Sequence, residues 1–227
     1  MRPIVLAMTG GSGAPYGARL LQMLLAAGRD VHLVISPAGA QVIRQELNIS
    51  LPPPEKQITP EECSPLVDYE TGRSTAEDAH LRAAALESSS AGRLTVHGHR
   101  DYFTPIASGS FLTAAMVICP CSGGTLSSIV RSAGSNLIER AAEVHVKERR
   151  KLIIVNRETP LSTFQLENML RASQAGIVVL PAMPGWYHGV QNPADLVDFV
   201  VARILDQLDV PHRLIQRWQA SDQIDEE

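Results

Sequence analysis

The chain has 227 residues, a formal net charge of −4, a hydrophobic share of 44% and a charged share of 19%. This is enough chain to bury a real core, with the make-up of an ordinary globular protein. It excludes a polybasic nucleic-acid binder, and no apolar run is long enough to span a membrane.

Residues 3–8 form a short apolar run stopped by glycines, which predicts a buried strand. Only Arg2 precedes it and no cleavage pattern follows, so the expected setting is the cytoplasm. Residues 15–27 carry helical spacing through Tyr16, Leu20, Met23 and Leu24. Residues 31–35 predict a second buried strand. Ser36 and Pro37 then open a helix over 38–47. Residues 50–76, with Pro52-Pro53-Pro54, have no period and predict an exposed loop or insertion. A short helix over 77–86 and a strand over 93–97 follow. The rhythm then returns: strand 114–119, helix 125–131, helix 137–150, strand 152–155, helix 163–175, strand 177–180 and helix 193–208. Strands alternating with helices predict a single-domain α/β protein, a doubly wound parallel sheet of flavodoxin-like or Rossmann-like type.

Ligands of such sheets bind beyond the carboxyl ends of the strands. The polar or small residues at these ends are Thr9–Gly13, Ser36, Ser122–Thr125, Asn156-Arg157-Glu158 and the 181–187 stretch. The first loop, Thr9-Gly10-Gly11-Ser12-Gly13, does not match the dinucleotide pattern and lacks a P-loop lysine. Its glycines let backbone N–H groups approach a phosphate, and they serve a plain tight turn equally well. Ser122-Gly123-Gly124-Thr125 opens a helix and suits either an anion or a cap. Arg157-Glu158 directly follows a strand, a better site position than a helix surface.

Arg140 and Lys147 share one helix face, with Glu143 between them; a solvated, salt-bridged face has the same spacing. Arg149-Arg150-Lys151 reads as a basic helix end. Arg203 borders the apolar face of the last helix, where arginines commonly snorkel. Tyr187 lies in the irregular aromatic stretch Pro184-Gly185-Trp186-Tyr187-His188. Cys63, Cys119 and Cys121 make neither a disulfide framework nor a zinc set, and Cys119-Pro120-Cys121 reads as small packing residues at a strand end. His97-Gly98-His99 offers two imidazoles with no third ligand in view, so no metal is expected.

Taken together, Met8-Thr9-Gly10-Gly11-Ser12-Gly13-Ala14, Ala107-Ser108-Gly109-Ser110, Cys119-Pro120-Cys121-Ser122, Leu137-Ile138-Glu139-Arg140-Ala141-Ala142, Lys147-Glu148-Arg149-Arg150, Arg157-Glu158-Thr159-Pro160 and Tyr187-His188 resemble the UbiX-type flavin prenyltransferases. The resemblance keeps chain order from about Pro3 to Trp218. It implies a flavin-binding domain over 1–218, with an irregular insertion near 50–99 and an acidic tail over 219–227. It implies that dimethylallyl phosphate is joined to reduced FMN without a metal. The product, prenylated FMN, would serve UbiD-type decarboxylases, and the enzyme would be a homo-oligomer, a dodecamer in that family.

By the same resemblance, Gly10, Gly11, Ser12, Ser36, Ser122, Gly123, Gly124, Thr125 and Arg157 would contact FMN. Arg140, Lys147, Glu158, Tyr187 and Arg203 would surround the dimethylallyl phosphate, some of them from a neighbouring subunit. The three cations would stabilise charge on the leaving phosphate, and Glu158 would manage its proton. Trp218 is the family-matched aromatic for the allyl cation, with Tyr102 in a matching stretch. Ser12 and Glu46 would relay the proton lost on ring closure. The insertion sets this chain apart from compact family members. The competing expectations are an FMN-dependent cysteine decarboxylase and a non-catalytic FMN-binding subunit. The former calls for a histidine in the helix after the second strand, which residues 38–47 lack.

Overall fold

Every residue of the first strand, β1 (Ile4–Met8), is buried, and its side chains alternate between two cores. Ile4, Leu6 and Met8 face one hydrophobic cluster; Val5 and Ala7 face the other. A strand with apolar residues on both faces must be covered on both, which is why it reads as a continuous apolar run. The computed structural model describes residues 1–54, 58–70 and 91–215.

Among the described residues, six parallel strands form the sheet in the order β3-β2-β1-β4-β5-β6. They are β1, β2 (Val31–Ile35), β3 (Leu94–His97), β4 (Ala115–Cys121), β5 (Lys151–Asn156) and β6 (Val178–Val179). On the Leu6 face lie α1 (Ala14–Ala26), α2 (Pro37–Leu47), α3 (Ser64–Val67) and α7 (Pro193–Gln207). On the Val5 face lie α4 (Gly123–Val130), α5 (Leu137–Lys147) and α6 (Thr163–Gln174). This is the doubly wound α/β fold that the strand–helix rhythm predicts.

Helix starts follow local side-chain chemistry. The Ser36, Ser122 and Asn136 side chains accept N–H groups in the first turns of α2, α4 and α5. Ser162 with Gln165, and Asn192 with Asp195, form reciprocal capping boxes on α6 and α7. Among the longer described helices α1 is the exception: Gly13 has no side chain to offer, and the cap comes from elsewhere in the fold. A buried ion pair ties α1 to α7, with Arg19 Nε 2.7 Å from Asp198 Oδ1.

Several sequence expectations shift. Helix 137–150 stops at Lys147, because Arg149 adopts φ 54° and Arg150 turns back to donate to the carbonyls of Phe111 and Gly109. Lys151 therefore opens β5 rather than ending a helix. Strand β4 continues to Cys121 through a cis Cys119–Pro120 peptide, beyond the expected end at 119. The helix expected from 125 starts at Gly123, where Ser122 caps it. The stretch expected as an exposed loop is partly core: Ile58, Cys63 and Leu66 are buried against the α1 side of the sheet. Isolated anchors of this kind leave no period to read. The helix expected over 77–86, Trp218 and the 219–227 tail lie outside the described residues.

Candidate functional site

Strand order reverses between β1 and β4, because one half of the chain winds outward from β1 and the other from β4. Crossovers leaving in opposite directions open a crevice at the carboxyl ends of these two strands. The Thr9 side chain holds the two loops there in register. Its hydroxyl donates to the Pro120 carbonyl at 2.9 Å and accepts the Ser122 N–H at 2.8 Å. Thr9 is buried, so both bonds are shielded from water.

The glycines allow close approach. A Cβ on Gly10 would stand 2.7 Å from the Ala38 Cβ, and one on Gly11 would stand 3.3 Å from the Cys121 carbonyl oxygen. Gly13 has φ 124°, a conformation that side chains disfavour. Just beyond it, Glu46 on the last turn of α2 accepts the Gly13 and Ala14 N–H groups at 2.9 and 2.8 Å. Arg157 crosses from β5 to donate to the Ser12 carbonyl at 3.3 Å. Gln165 at the start of α6 donates to Glu158 at 3.4 Å.

These contacts surround a cleft of about 470 Å³ that is open to solvent. Gly10, Gly11, Ser12, Ser122, Gly123, Arg157 and Glu158 line it, as do Cys121, Leu126, Asn156, Gln165 and Met169. The expected flavin residues at three strand ends thus converge on one cavity. Ser36 caps α2 beside the Gly10 loop, its Oγ accepting the Gly39 N–H at 3.0 Å. Thr125 bonds Ser122 through its hydroxyl at 3.0 Å, and the space at Gly124 is open.

The lining fits a phosphate-bearing aromatic cofactor. Glycine backbone and the Arg157 guanidinium offer donors to a phosphate, while Leu126 and Met169 offer apolar surface to a ring. One lining atom also calls for a ligand: Asn156 Oδ1 is buried and has no hydrogen-bond partner among the described residues. Burial pushes the Cys121 thiol up to about 12, which disfavours the thiolate.

Of the residues expected around the second substrate, Glu158 lines this cleft, while Arg140, Lys147, Tyr187 and Arg203 do not join it within one chain. Arg140 lies on α5, donating to the Ala107 carbonyl at 3.1 Å and lying 3.6 Å from Glu143. Lys147, on the same helix, pairs with Glu148. Arg203 lies on α7, on the other face of the sheet, 2.6 Å from Asp206. Tyr187 packs edge-on against Phe199 of α7, with ring centroids 5.7 Å apart. The single chain therefore holds two cationic groups on opposite faces. Trp218 lies outside the described residues, and Tyr102 is exposed. His97 pairs with His32, Nε2 to Nδ1 at 2.8 Å. No group of three His, Cys, Asp or Glu side chains suited to a metal occurs among the described residues. None of the described helices is long and apolar enough to cross a membrane.

The sequence reading noted Thr9 and Asn156 at strand ends but gave them no task. Gln165 and Met169 were missed, since they enter the cleft from α6 and only the strand order brings α6 there.

The family model described as Flavoprotein matches residues 1–205. The flavin prenyltransferase UbiX of Pseudomonas aeruginosa is 46% identical over 217 residues, covering 95% of this chain and 93% of that protein. The crystal structure of AnUbiX in complex with FMN and dimethylallyl pyrophosphate superposes with a TM-score of 0.76 at 34% identity, covering 96% of this chain and 97% of that one. A dodecameric FMN-dependent UbiX-like decarboxylase from Escherichia coli O157:H7 gives 0.75 at 35% identity, covering 96% of this chain and 98% of that one. A glycine cradle at the switch point of a Rossmann-order sheet and similarity along nearly the whole chain lead to one conclusion: the chain belongs to the flavoprotein family, among the UbiX flavin prenyltransferases.

Proposed function

We propose that this protein joins the dimethylallyl group of dimethylallyl phosphate to N5 and C6 of reduced FMN, giving prenylated FMN for a UbiD-type decarboxylase. The observation that carries the proposal is the cleft in which the Gly10–Ser12 loop, the Ser122–Gly123 helix start and Arg157 converge. Bound reduced FMN supplies the nucleophilic positions; the protein supplies charge, orientation and proton handling.

Gly10, Gly11, Ser12, Ser36, Ser122, Gly123, Gly124, Thr125 and Arg157 hold the FMN. Leaving of the allylic phosphate builds negative charge on its oxygens, which Arg140, Lys147 and Arg203 stabilise and Tyr187 helps to seat. Glu158 donates a proton to that phosphate, oriented by Gln165. By the family resemblance, Trp218, outside the described residues, is the aromatic that would stabilise the allyl cation. Ser12 and Glu46 take the proton lost at ring closure; the Glu46 carboxylate is already within one residue of Ser12 through its bond to Gly13.

Arg140 and Lys147 sit on one face of the chain and Arg203 on the other, so the phosphate site is completed between subunits of a homo-oligomer. Support comes from the bare apolar side chains Phe103, Phe164 and Trp186, which are 102%, 73% and 71% exposed. A dodecamer like that of the Escherichia coli relative fits this reading. Three free cysteines accord with a reducing cytoplasm.

The test is release of the leaving group. With reduced FMN and dimethylallyl phosphate under anaerobic conditions, inorganic phosphate should appear in step with flavin consumption. Dimethylallyl diphosphate, run in parallel, would release pyrophosphate if it is the donor. Flavin binding without either release would overturn the proposal and leave an FMN-binding protein.

A further inference from the structure

We infer that Asn156 reads the ring of the bound flavin, its carboxamide pairing with an edge that presents an N–H beside a C=O. The inference rests on the FMN reading above and extends it to a residue with no role so far. Asn156 ends β5, opposite Cys121 in the β4–β5 ladder. Its backbone is already used, with its carbonyl accepting the Ala182 N–H at 2.9 Å. Its side chain is not. The residue is only 5% exposed, and Oδ1 has no partner among the described residues. The Nδ2 group reaches the Met169 sulfur at 4.0 Å, and a thioether is a weak acceptor.

Exchanging the amide oxygen and nitrogen would turn the oxygen toward the Met169 sulfur, which has no proton to donate. A buried carboxamide without partners is destabilising, and water or a ligand must complete it. Asn156 lines the same cleft as Gly11, Ser122 and Arg157. Those neighbours present donors, which suit phosphate. Asn156 differs in offering a neutral donor and acceptor side by side. A phosphate only accepts. The pyrimidine side of a flavin presents an N–H between two carbonyls, the complement of a carboxamide.

The probes are FMN and FMN methylated at the ring N3, bound to the whole protein and followed by quenching of flavin fluorescence. The wild type should bind FMN about tenfold more tightly than the N3-methyl analogue, since two neutral hydrogen bonds are at stake. Asn156→Leu, of similar volume, should bind FMN about tenfold more weakly than wild type and no longer distinguish the two flavins. The ligand-free variant should melt at the wild-type temperature or about 2–4 °C above it, because an unpaired buried amide has gone. Equal FMN affinity in variant and wild type would overturn the inference. So would a wild type that does not discriminate, even if the variant binds poorly, since the amide would then be bonding the ribityl hydroxyls. If Asn156→Leu fails to fold, the wild-type comparison of the two flavins decides alone. A wild type that binds no FMN would overturn the functional reading as well, so the two failures are distinguishable.

Discussion

Glu46 Oε2 lies 2.8 Å from the backbone nitrogen of Ala14, so the last turn of α2 caps the first turn of α1. Glycine at position 13 cannot cap its own helix, and an anion beside a helix N-terminus is favourable. Glu46→Ala should lower stability by about 1–2 kcal/mol and loosen the Gly10–Gly13 loop. Glu46→Gln keeps an acceptor but cannot take a proton. It should melt near wild type while turnover falls at least tenfold. Thermal melts and phosphate release on both variants separate the two roles.

Thr9 tests whether the two loops must be locked together. Thr9→Val keeps the shape and deletes the hydroxyl that bridges Pro120 and Ser122. The Ser122 N–H then lacks its acceptor, at a cost of about 1–3 kcal/mol. Chemical denaturation should show that loss, and FMN affinity should fall with it, since Ser122 opens the cofactor side of the cleft.

Gly10→Ala tests the close approach of loop and helix. The added methyl would meet the Ala38 Cβ at 2.7 Å, so α2 must move outward. Overpacking of this kind costs about 1–3 kcal/mol. Weaker FMN binding than in wild type, measured by fluorescence titration, is the expected outcome. Gly124→Ala, where the space is open, should fold normally and serves as a control for stability alone.

Acid should weaken the fold at one identifiable pair. His32 and His97 are stacked with centroids 5.0 Å apart and share a hydrogen bond. Burial, and then the charge of His32, lowers His97 from 6.5 to about 4, with Asp101 pulling the other way. Burial also lowers His32, opposed by Asp30 and assisted by Arg93. A histidine with a depressed folded pKa binds its proton better when unfolded. Its contribution is therefore complete above about pH 6.5 and is lost as pH falls toward 4. Allowing for partial exposure, about 2 kcal/mol should disappear over that window. His97→Gln should flatten the slope of stability against pH between 7 and 4.5, which denaturant melts at several pH values would show.

The ion pair between Arg19 and Asp198 is 3% and 0% exposed, and it joins α1 to α7. Asp198→Asn removes the negative charge 2.7 Å from the buried guanidinium and should cost about 3–5 kcal/mol. Arg203 lies on the same helix, so the variant should also raise KM for dimethylallyl phosphate more than it lowers kcat. Steady-state kinetics at a temperature where the variant is folded would measure this.

The sequence carries the sheet clearly, because the strands are short apolar runs, most of them cut off by glycine, proline or serine. It also carries the Gly10–Gly13 and Ser122–Thr125 loops, since hydroxyls and glycines at strand ends have few other uses. What it does not carry depends on strand order. Asn156 faces the cleft because β5 lies beside β4. Gln165 reaches Glu158 because α6 starts above that edge. The Glu46 cap joins residues 33 apart in the chain through the packing of α2 on α1. Helical spacing places Arg140 and Lys147 on one face but does not say which side of the sheet that helix covers. The early stop of α5 comes from one positive φ at Arg149, a residue type that gives no warning of it.

The central claim is a new bond to the flavin, and the mass of the flavin tests it most directly. The whole protein, reduced FMN and dimethylallyl phosphate are mixed without oxygen, and the released cofactor is weighed by mass spectrometry. The expected result is a flavin heavier by one isoprenyl unit, formed by the wild type and lost in Arg140→Ala. Unmodified FMN as the sole flavin, recovered from protein that had bound it, would contradict the account.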